Sequence, residues 1–229
     1  KIFITSDRPS VAVAELCVSN MISLLRHTIT MSNDLKRNNW NPIQGKELRS
    51  CTVGVVGLGS IGKEVAKRVS LFGSKVIGYG RTWNEEFART YDVDRKTIQE
   101  IFKESDIISI HLPLTSETKV FIDKNLIDMS KSNALIVNTS RAGVIDNSDL
   151  AEAVRSKAIG GAAVDVFDEE RDPYPYGSLE NVILTPHIGS HTLETRKAME
   201  EMAAKNLVIY DSSSTDNETS DYVTRHSVN

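Results

Sequence analysis

Three glycines in the pattern Gly-x-Gly-x-x-Gly constrain this chain more than any other feature. Gly57, Gly59 and Gly62 follow the apolar run 53–56. The helical pattern after them has four apolar positions at helical spacing, namely Ile61, Val65, Val69 and Phe72. In a strand-turn-helix of this kind the first glycine permits the tight turn, the second lets the backbone approach a pyrophosphate, and the third lets the helix pack closely. The pattern predicts a dinucleotide site, although structural turns and S-adenosylmethionine enzymes use similar glycines.

The rest of the chain alternates between strand-like and helix-like segments. Strands are predicted at residues 52–56, 75–79, 106–110, 134–138, 161–166 and 182–184. Such alternation is typical of an α/β fold with a doubly wound parallel sheet, the Rossmann fold, which binds ligands at the carboxyl ends of its strands. We therefore expect the functional residues to follow the strands directly.

The dinucleotide-binding domain is predicted to span residues 51–190. Before it, residues 1–50 contain a short strand near 1–5, a long helix over 11–31 and a polar connector over 38–50. After it, a C-terminal helix is predicted over 191–210. Residues 211–229 are rich in Ser, Thr, Asp and Asn, a composition that favours a disordered tail.

Composition excludes some classes of function. With 229 residues, a net charge of -4 and a pI near 5.8, the chain has no broad basic surface for nucleic acid. It has no apolar run long enough to span a membrane. Its two cysteines, Cys17 and Cys51, have no ligand-like or redox-like neighbours, which favours reduced core residues and a cytoplasmic location. Because the sequence begins at Lys1, we expect a fragment truncated at its N-terminus.

The end of the second predicted strand bears on the choice of cofactor. An acidic residue in this position usually binds the adenosine ribose of NAD. Here the strand is followed by Gly80 and Arg81, so the carboxylate is absent. An arginine offers a planar set of donors that suits a 2′-phosphate. NADP is therefore favoured and NAD remains possible, while an ordinary solvated role for Arg81 is the alternative.

Four further segments place polar residues after strands, at 111–115, 138–143, 165–170 and 185–190. Together with the glycine motif, and in this order, they resemble the D-isomer-specific 2-hydroxyacid dehydrogenase family, which includes phosphoglycerate dehydrogenase and the glyoxylate/hydroxypyruvate reductases. The resemblance covers about residues 11–210. It implies an oxidoreductase that transfers a hydride between NAD(P)H and a small 2-keto or 2-hydroxy acid.

The resemblance also implies three catalytic roles. Arg141 matches the arginine that holds the substrate carboxylate and carbonyl, and His187 matches the acid/base that protonates the carbonyl oxygen. Glu170 matches the carboxylate that pairs with this histidine. Spacing alone does not distinguish Glu170 from the neighbouring acids Asp168 and Glu169, and Arg171 stands where the family commonly has proline. Without the resemblance, a surface salt bridge for Arg141 and a structural role for His187 are the alternatives.

Further cofactor contacts are expected from the same resemblance. Asp165 matches the aspartate that holds the nicotinamide carboxamide, and an aspartate that caps a loop is the alternative. The other expected contacts lie beside the pyrophosphate, the adenosine or the nicotinamide: Ser60, Ile61, Leu112, Pro113, Thr139, Ser140 and Gly189. His187 and His191 are four residues apart, but the intervening Gly189 and Ser190 argue against a helical metal site, and no metal is expected.

The resemblance leaves two larger questions. Residues 1–50 contain only a remnant of the family's substrate domain, so activity of the truncated chain is uncertain at this point. A homodimer is expected, because the helix at 11–31 and its connector resemble the family's subunit contact. The alternatives are an NAD(P)-sensing binding module, a catalytically impaired fragment and a Rossmann methyltransferase.

Overall fold

The strand that precedes the glycine motif lies near the middle of a seven-stranded, all-parallel sheet. A computed structural model describes residues 2–3, 9–168, 172–177, 179–212 and 227–228. The spatial order is β4-β3-β2-β5-β6-β7-β8. The strands are β2 (Thr52–Val56), β3 (Lys75–Tyr79), β4 (Val93–Arg95), β5 (Ile107–Ile110), β6 (Leu135–Asn138), β7 (Gly161–Val164) and β8 (Val182–Leu184). The strand order reverses between β2 and β5, as it does in doubly wound folds. The prediction of a doubly wound parallel sheet is therefore confirmed.

Helices cover both faces of this sheet. One hydrophobic cluster joins the sheet to α1, α3 and α4, and the other joins it to α5, α6 and α7. Successive strand residues alternate between them, so that Ile107 belongs to the first cluster and Ile108 to the second. The helices are α1 (Ser10–Leu25), α2 (Thr28–Lys36), α3 (Ser60–Leu71), α4 (Glu85–Tyr91), α5 (Ile98–Glu104), α6 (Lys124–Ile127), α7 (Asn147–Arg155) and α8 (Leu193–Ser212).

The parallel arrangement brings the predicted functional segments to one edge of the sheet. The turns that follow β2, β3, β5, β6, β7 and β8 all leave the carboxyl ends of their strands. These turns contain the glycine motif, Gly80 and Arg81, and the four polar segments. Residues separated by more than a hundred positions in sequence therefore share one edge.

The helix predicted over residues 11–31 is interrupted. It forms α1 and α2, which are separated by His27 in the left-handed region at φ 51°. The backbone of the connector packs at this break, because the Lys46 amide donates to the Leu25 carbonyl oxygen over 3.0 Å. A Cβ atom on Gly45 would lie 2.4 Å from that same oxygen. The break thus depends on a contact between segments about 20 residues apart.

Other elements differ from the sequence-based expectation at their ends. The short edge strand β4 was not predicted, and Phe72 is 50% exposed where a buried position was expected, since α3 ends at Leu71. The last helix continues to Ser212. Ile2–Phe3 (β1) pairs antiparallel with Ser227–Val228 (β9). The remainder of the expected tail over 211–229 lies outside the described residues.

Candidate cofactor and substrate site

The three motif glycines meet different surroundings. Gly57 has a positive φ of 98°, and a Cβ atom there would lie 2.6 Å from the His111 carbonyl oxygen. A Cβ atom on Gly62 would lie 1.9 Å from the Gly57 carbonyl oxygen. At Gly59, by contrast, a Cβ atom would meet no heavy atom within 4 Å. The first and third glycines are therefore required by the fold itself, whereas the second leaves open space where a ligand could approach the backbone.

That open space lies beside the N-terminus of α3, which begins at Ser60 and Ile61. The first amide groups of a helix point outward and carry partial positive charge, an arrangement that suits a pyrophosphate. The cradle at Gly59 and this helix N-terminus together fit the phosphates of a dinucleotide. They are the groups that would hold the middle of the cofactor.

A cavity of about 560 Å³ lies on one side of the glycine turn. It is enclosed by the end of β3, the glycine turn and the segment after β5. It is lined by Leu112, Pro113 and Arg81, three of the residues for which a cofactor contact is predicted. Its size suits a small-molecule ligand. We refer to it as the adenosine pocket.

The guanidinium of Arg81 has a partner that sequence reasoning missed. Its Nη1 lies 3.2 Å from Oε2 of Glu117, which also lines the adenosine pocket. The two residues are 36 positions apart and belong to different turns of the sheet edge. The local sequence around Arg81 carries no signal for this contact.

His111 forms part of the floor of the adenosine pocket. Its Nε2 lies 2.8 Å from Oγ of Ser109, and its Nδ1 is buried without a hydrogen-bond partner. Burial lowers the pKa of His111 to about 3, so the imidazole is neutral near pH 7. His111 therefore forms part of the pocket wall as a neutral side chain.

Arg141 and His187 line a second cavity, of about 750 Å³, which we call the catalytic cavity. Arg141 follows β6, and its Nη1 donates to the Ser140 carbonyl oxygen over 2.7 Å. His187 follows β8 in a left-handed conformation at φ 53°. Both side chains belong to exposed residues, so they are open to a ligand. The fold thus brings together the two groups that the sequence separates by 46 residues.

Two further basic or titratable side chains line the same cavity. His191 and Arg196 contribute to its wall. The sequence makes His191 a candidate only for a metal site, and no sequence motif points to Arg196, which lies in the first turn of α8. The signal in the sequence that could have placed Arg196 at this cavity is its position, nine residues after His187 and at the start of a helical pattern.

Asp165 lies beneath the His187 turn. Its carboxylate is 1% exposed and accepts three hydrogen bonds, from the hydroxyl of Thr185 (2.6 Å) and from the backbone amides of Ile188 and Gly189 (both 2.9 Å). These contacts are those of the alternative interpretation, an aspartate that caps a loop. A contact with a nicotinamide carboxamide stays a prediction. The observed bonds tie residues 185–189 to the end of β7.

The turn before Arg141 is held by a second buried side chain, Asn138. Its Oδ1 accepts from the backbone amide (3.0 Å) and the hydroxyl (2.9 Å) of Ser140, and its Nδ2 donates to the Arg141 carbonyl oxygen (3.2 Å). Thr139 is buried, with its hydroxyl 2.9 Å from Sγ of Cys17. Burial raises the pKa of Cys17 to about 12, which keeps it a neutral thiol of the core, as predicted.

The predicted acidic partner of His187 belongs to a segment that is described only in part. Glu169, Glu170 and Arg171 lie outside the described residues, so the choice among the three acids remains a prediction. Asp168 is described, and its carboxylate accepts a hydrogen bond from Nδ2 of Asn147 over 2.8 Å. Asn147 in turn accepts from the hydroxyl of the buried Tyr176 over 2.7 Å. Sequence reasoning missed this anchor because its members are remote from one another in sequence.

The described residues also bear on two other kinds of feature, a metal site and a membrane-spanning helix. They contain no group of three or more His, Cys, Asp or Glu side chains that could hold a metal ion. Within the same part of the chain, no helix has the length and apolar character needed to cross a bilayer.

Comparison with known proteins gives concordant matches. The family model for the NAD-binding domain of D-isomer-specific 2-hydroxyacid dehydrogenases matches residues 18–189. A glyoxylate reductase of Thermococcus litoralis is 38% identical over 211 residues, which are 87% of this chain and 63% of that protein. The chain therefore spans less than two thirds of the length of this relative.

Solved structures of the same kind superimpose closely. A D-lactate dehydrogenase of Aquifex aeolicus, complexed with NAD and lactic acid, has a TM-score of 0.86 and 27% identity, and the match covers 93% of this chain and 69% of that one. An acyclic imino acid reductase complexed with NADPH and D-Arg has a TM-score of 0.82 and 27% identity, with coverage of 90% and 66%. The domain is thus a nicotinamide-cofactor fold, and these two relatives hold different nicotinamide cofactors.

Proposed function

This chain belongs to the D-isomer-specific 2-hydroxyacid dehydrogenase family, and from that premise we propose that it transfers a hydride between NAD(P)H and a small 2-keto or 2-hydroxy acid. The observation that carries the proposal is the convergence of Arg141 and His187 on one cavity at the carboxyl edge of the sheet. The relatives named above as reductases and dehydrogenases support the reaction class.

The roles of the side chains follow from their chemistry. The Arg141 guanidinium can bind the substrate carboxylate and polarise the neighbouring carbonyl through its fixed set of donors. His187 donates a proton to the carbonyl oxygen during reduction and accepts it from the hydroxyl during oxidation. In this proposal Glu170 pairs with His187 and orients its imidazole ring. When bound, the nicotinamide supplies or accepts the hydride.

Buried polar side chains hold the two turns that bear the proposed catalytic residues. Asp165 fixes the turn that bears His187, and Asn138 fixes the turn that bears Arg141. Such support maintains the orientation on which proton transfer depends. The residues expected to hold the cofactor are Gly57, Gly59, Ser60, Ile61, Gly62, Arg81, Leu112, Pro113, Thr139, Ser140, Asp165 and Gly189.

Steady-state kinetics of His187→Ala test the proposed reaction, with NADPH or NADH and glyoxylate or hydroxypyruvate as substrates. We expect kcat to fall by about 10²- to 10⁴-fold, the usual contribution of a general acid, with cofactor affinity nearly unchanged. His191→Ala is the matched control, because His191 lines the same cavity, and its kcat should change by less than about 3-fold. Retained turnover in His187→Ala would remove this assignment. Cofactor binding by the unaltered chain without any turnover would favour a binding module.

We further propose that NADPH binds more tightly than NADH. Gly80 leaves no carboxylate at the end of β3, and Arg81 lines the adenosine pocket. Arg81→Ala should weaken NADPH binding by about 10-fold, because a charge-assisted contact with the 2′-phosphate is lost, and should leave NADH binding unchanged. Equal losses for both cofactors would contradict the preference.

A homodimer is proposed for the surface formed by α1, α2 and the connector. Large apolar side chains are exposed in this region, including Trp40 at 82% and Leu35 at 54%. Exposed aromatic side chains are frequent at protein interfaces. Light scattering after gel filtration should give twice the chain mass, and Trp40→Ala should shift the mass toward the monomer. Leu71→Ala is the control, since Leu71 is similarly exposed on α3. Identical masses for the unaltered chain and Trp40→Ala would refute this interface.

A cytoplasmic location is proposed on the basis of the cysteines. Cys17 and Cys51 are both buried and free, a state that a reducing compartment maintains. Fractionation of cells that produce the protein, followed by detection with an antibody, tests this directly. Recovery in a secreted or membrane fraction would contradict it.

A further inference from the structure

The mouth of the adenosine pocket carries an ion pair, Arg81 with Glu117, in which Glu117 has no role in the proposed function. Arg81 and Glu117 are the charged side chains among the described residues that line this pocket, apart from the neutral His111. Their side chains are 90% and 76% exposed, with Nη1 and Oε2 3.2 Å apart. Pairs this exposed contribute little to stability. The main effect of the pair is therefore on ligand binding, because an anionic group of a ligand must compete with the Glu117 carboxylate for the Arg81 guanidinium.

The segment that bears Glu117 is held in a defined turn. The hydroxyl of Thr118 donates to the Pro113 carbonyl oxygen over 2.5 Å, and the Thr115 amide donates to the Thr118 hydroxyl over 2.8 Å. Glu117 lies between these two threonines. Its backbone position is thus fixed by hydrogen bonds on both sides.

The segment that bears Arg81 is joined to the same turn. The ring of Tyr79, at the end of β3, stacks on the ring of Phe121, with centroids 6.0 Å apart and planes inclined by 22°. Both rings line the adenosine pocket. Since each partner of the ion pair is two to four residues from this stack, their juxtaposition follows from packing rather than from the ion pair alone.

We propose that Glu117 is a specificity-determining residue that weakens selection of the 2′-phosphorylated cofactor by occupying the guanidinium of Arg81. This rests on the proposed function of the pocket. In Rossmann folds an arginine near the end of the second strand of the motif accommodates the 2′-phosphate. To reach Arg81, a phosphate must displace a carboxylate of like charge. A ribose with a free 2′-hydroxyl carries no such charge and needs no such displacement.

The test is the binding of NADPH and NADH to Glu117→Gln, measured by fluorescence titration of the full chain at constant ionic strength. Glutamine keeps the length of the side chain and removes its charge. We expect the Kd of NADPH to fall by about 3- to 10-fold and that of NADH to change by less than 2-fold. Because exposed charges are screened by salt, the gain should shrink between low and high ionic strength.

Glu152→Gln is the matched control for net charge. Glu152 is an exposed acid that pairs with Arg155 on α7 and is absent from the residues that line the adenosine pocket. It should leave both dissociation constants unchanged. A gain for NADPH in this control as large as that in Glu117→Gln would overturn the proposal, because the effect would then reflect overall charge.

A double-variant cycle with Arg81→Ala tests whether Glu117 acts through the guanidinium. In the Arg81→Ala background, Glu117→Gln should improve NADPH binding by less than about 2-fold. A full gain in that background, no gain in the single variant, or equal gains for the two cofactors would each overturn the proposal. Failure of the unaltered chain to bind either cofactor would instead refute the proposed function, so the two failures are distinguishable.

Discussion

The two cavities at the sheet edge are built in different ways. The adenosine side depends on the backbone. A Cβ atom on Gly57 or Gly62 would lie too close to a backbone carbonyl oxygen, so neither position has room for a side chain. The catalytic side depends on exposed side chains, Arg141 and His187, whose turns are held from below by buried polar groups. One cavity is therefore shaped by steric exclusion and the other by hydrogen bonds.

This difference has consequences for how each side tolerates change. A steric requirement is local and strict, because packed backbone cannot yield by more than a few tenths of an ångström. A turn held by hydrogen bonds can lose a bond and still form, at a cost in stability and orientation. Variants of Gly57 and Gly62 should thus affect folding first, and variants beneath the catalytic cavity should affect stability and activity together.

The largest effect is expected for Gly62→Ala. Its Cβ would lie 1.9 Å from the Gly57 carbonyl oxygen, so the helix and the turn must separate. Overpacking of this kind should reduce the free energy of unfolding by about 3 kcal/mol or more. Urea denaturation followed by circular dichroism measures this.

Gly59→Ala is the matched control for that variant. A Cβ atom there meets no heavy atom within 4 Å, so stability should be unchanged while cofactor affinity falls. Equal losses of stability in the two variants would show that the glycines do not divide their roles in this way.

Asp165→Asn should be next in size and tests the hydrogen-bonded side. Its carboxylate accepts three hydrogen bonds with two oxygens, and an amide would place donors against one of the backbone amides. We expect a loss of about 2–3 kcal/mol in the free energy of unfolding, together with a fall in turnover as the His187 turn loosens. Asp94→Asn, on the exposed edge strand β4, should cost less than about 0.5 kcal/mol. A stable Asp165→Asn protein would contradict the assigned role of this carboxylate.

A pH dependence of intermediate size is expected on the adenosine side. The unfolded chain protonates His111 below about pH 6.5, whereas the folded chain, in which burial lowers the pKa of His111 to about 3, does not. The stability from this residue is complete above pH 6.5 and is lost as the pH falls toward 3. Between pH 5.5 and 4.5 the free energy of unfolding should therefore fall by about 1.4 kcal/mol per pH unit more than in His111→Gln. Parallel pH profiles of the two proteins would refute this.

The smallest effect is expected for Tyr176→Phe, which removes one buried hydrogen bond. The Tyr176 hydroxyl donates to Asn147, which also binds Asp168. The free energy of unfolding should fall by about 1 kcal/mol. The backbone amide of Asp168 should then exchange its hydrogen with solvent faster than in the unaltered chain. Tyr174→Phe provides the control, because Tyr174 is 77% exposed. An equal effect of the two substitutions would show that the anchor contributes nothing.

Sequence patterns predicted the interior of the fold well. The six strands expected in the dinucleotide-binding domain are all present, and three of them, β2, β3 and β8, have the predicted bounds. Their apolar runs are long enough to reveal buried strands without knowledge of their neighbours. The edge strand β4 was missed because a three-residue strand with Asp94 and Arg95 exposed lacks that pattern.

The break between α1 and α2 could not be predicted in this way. The apolar spacing is continuous across it, and the residue in the left-handed conformation is His27, not a glycine. What ends the helix is the connector, whose Lys46 amide takes the Leu25 carbonyl oxygen. A contact of this kind depends on where a later segment returns.

By itself, the sequence determined the doubly wound sheet, the glycine turn and the identity of the residues at the strand ends, because short-range periodicity and backbone sterics are local properties. Tertiary structure alone decided which of these residues meet: Arg141 with His187 at one cavity, Arg81 with Glu117 at the other, and Asp165 beneath the His187 turn. These contacts join segments 20 to 50 residues apart. Their geometry is set by strand order and by the packing of helices on the sheet, which no local pattern encodes.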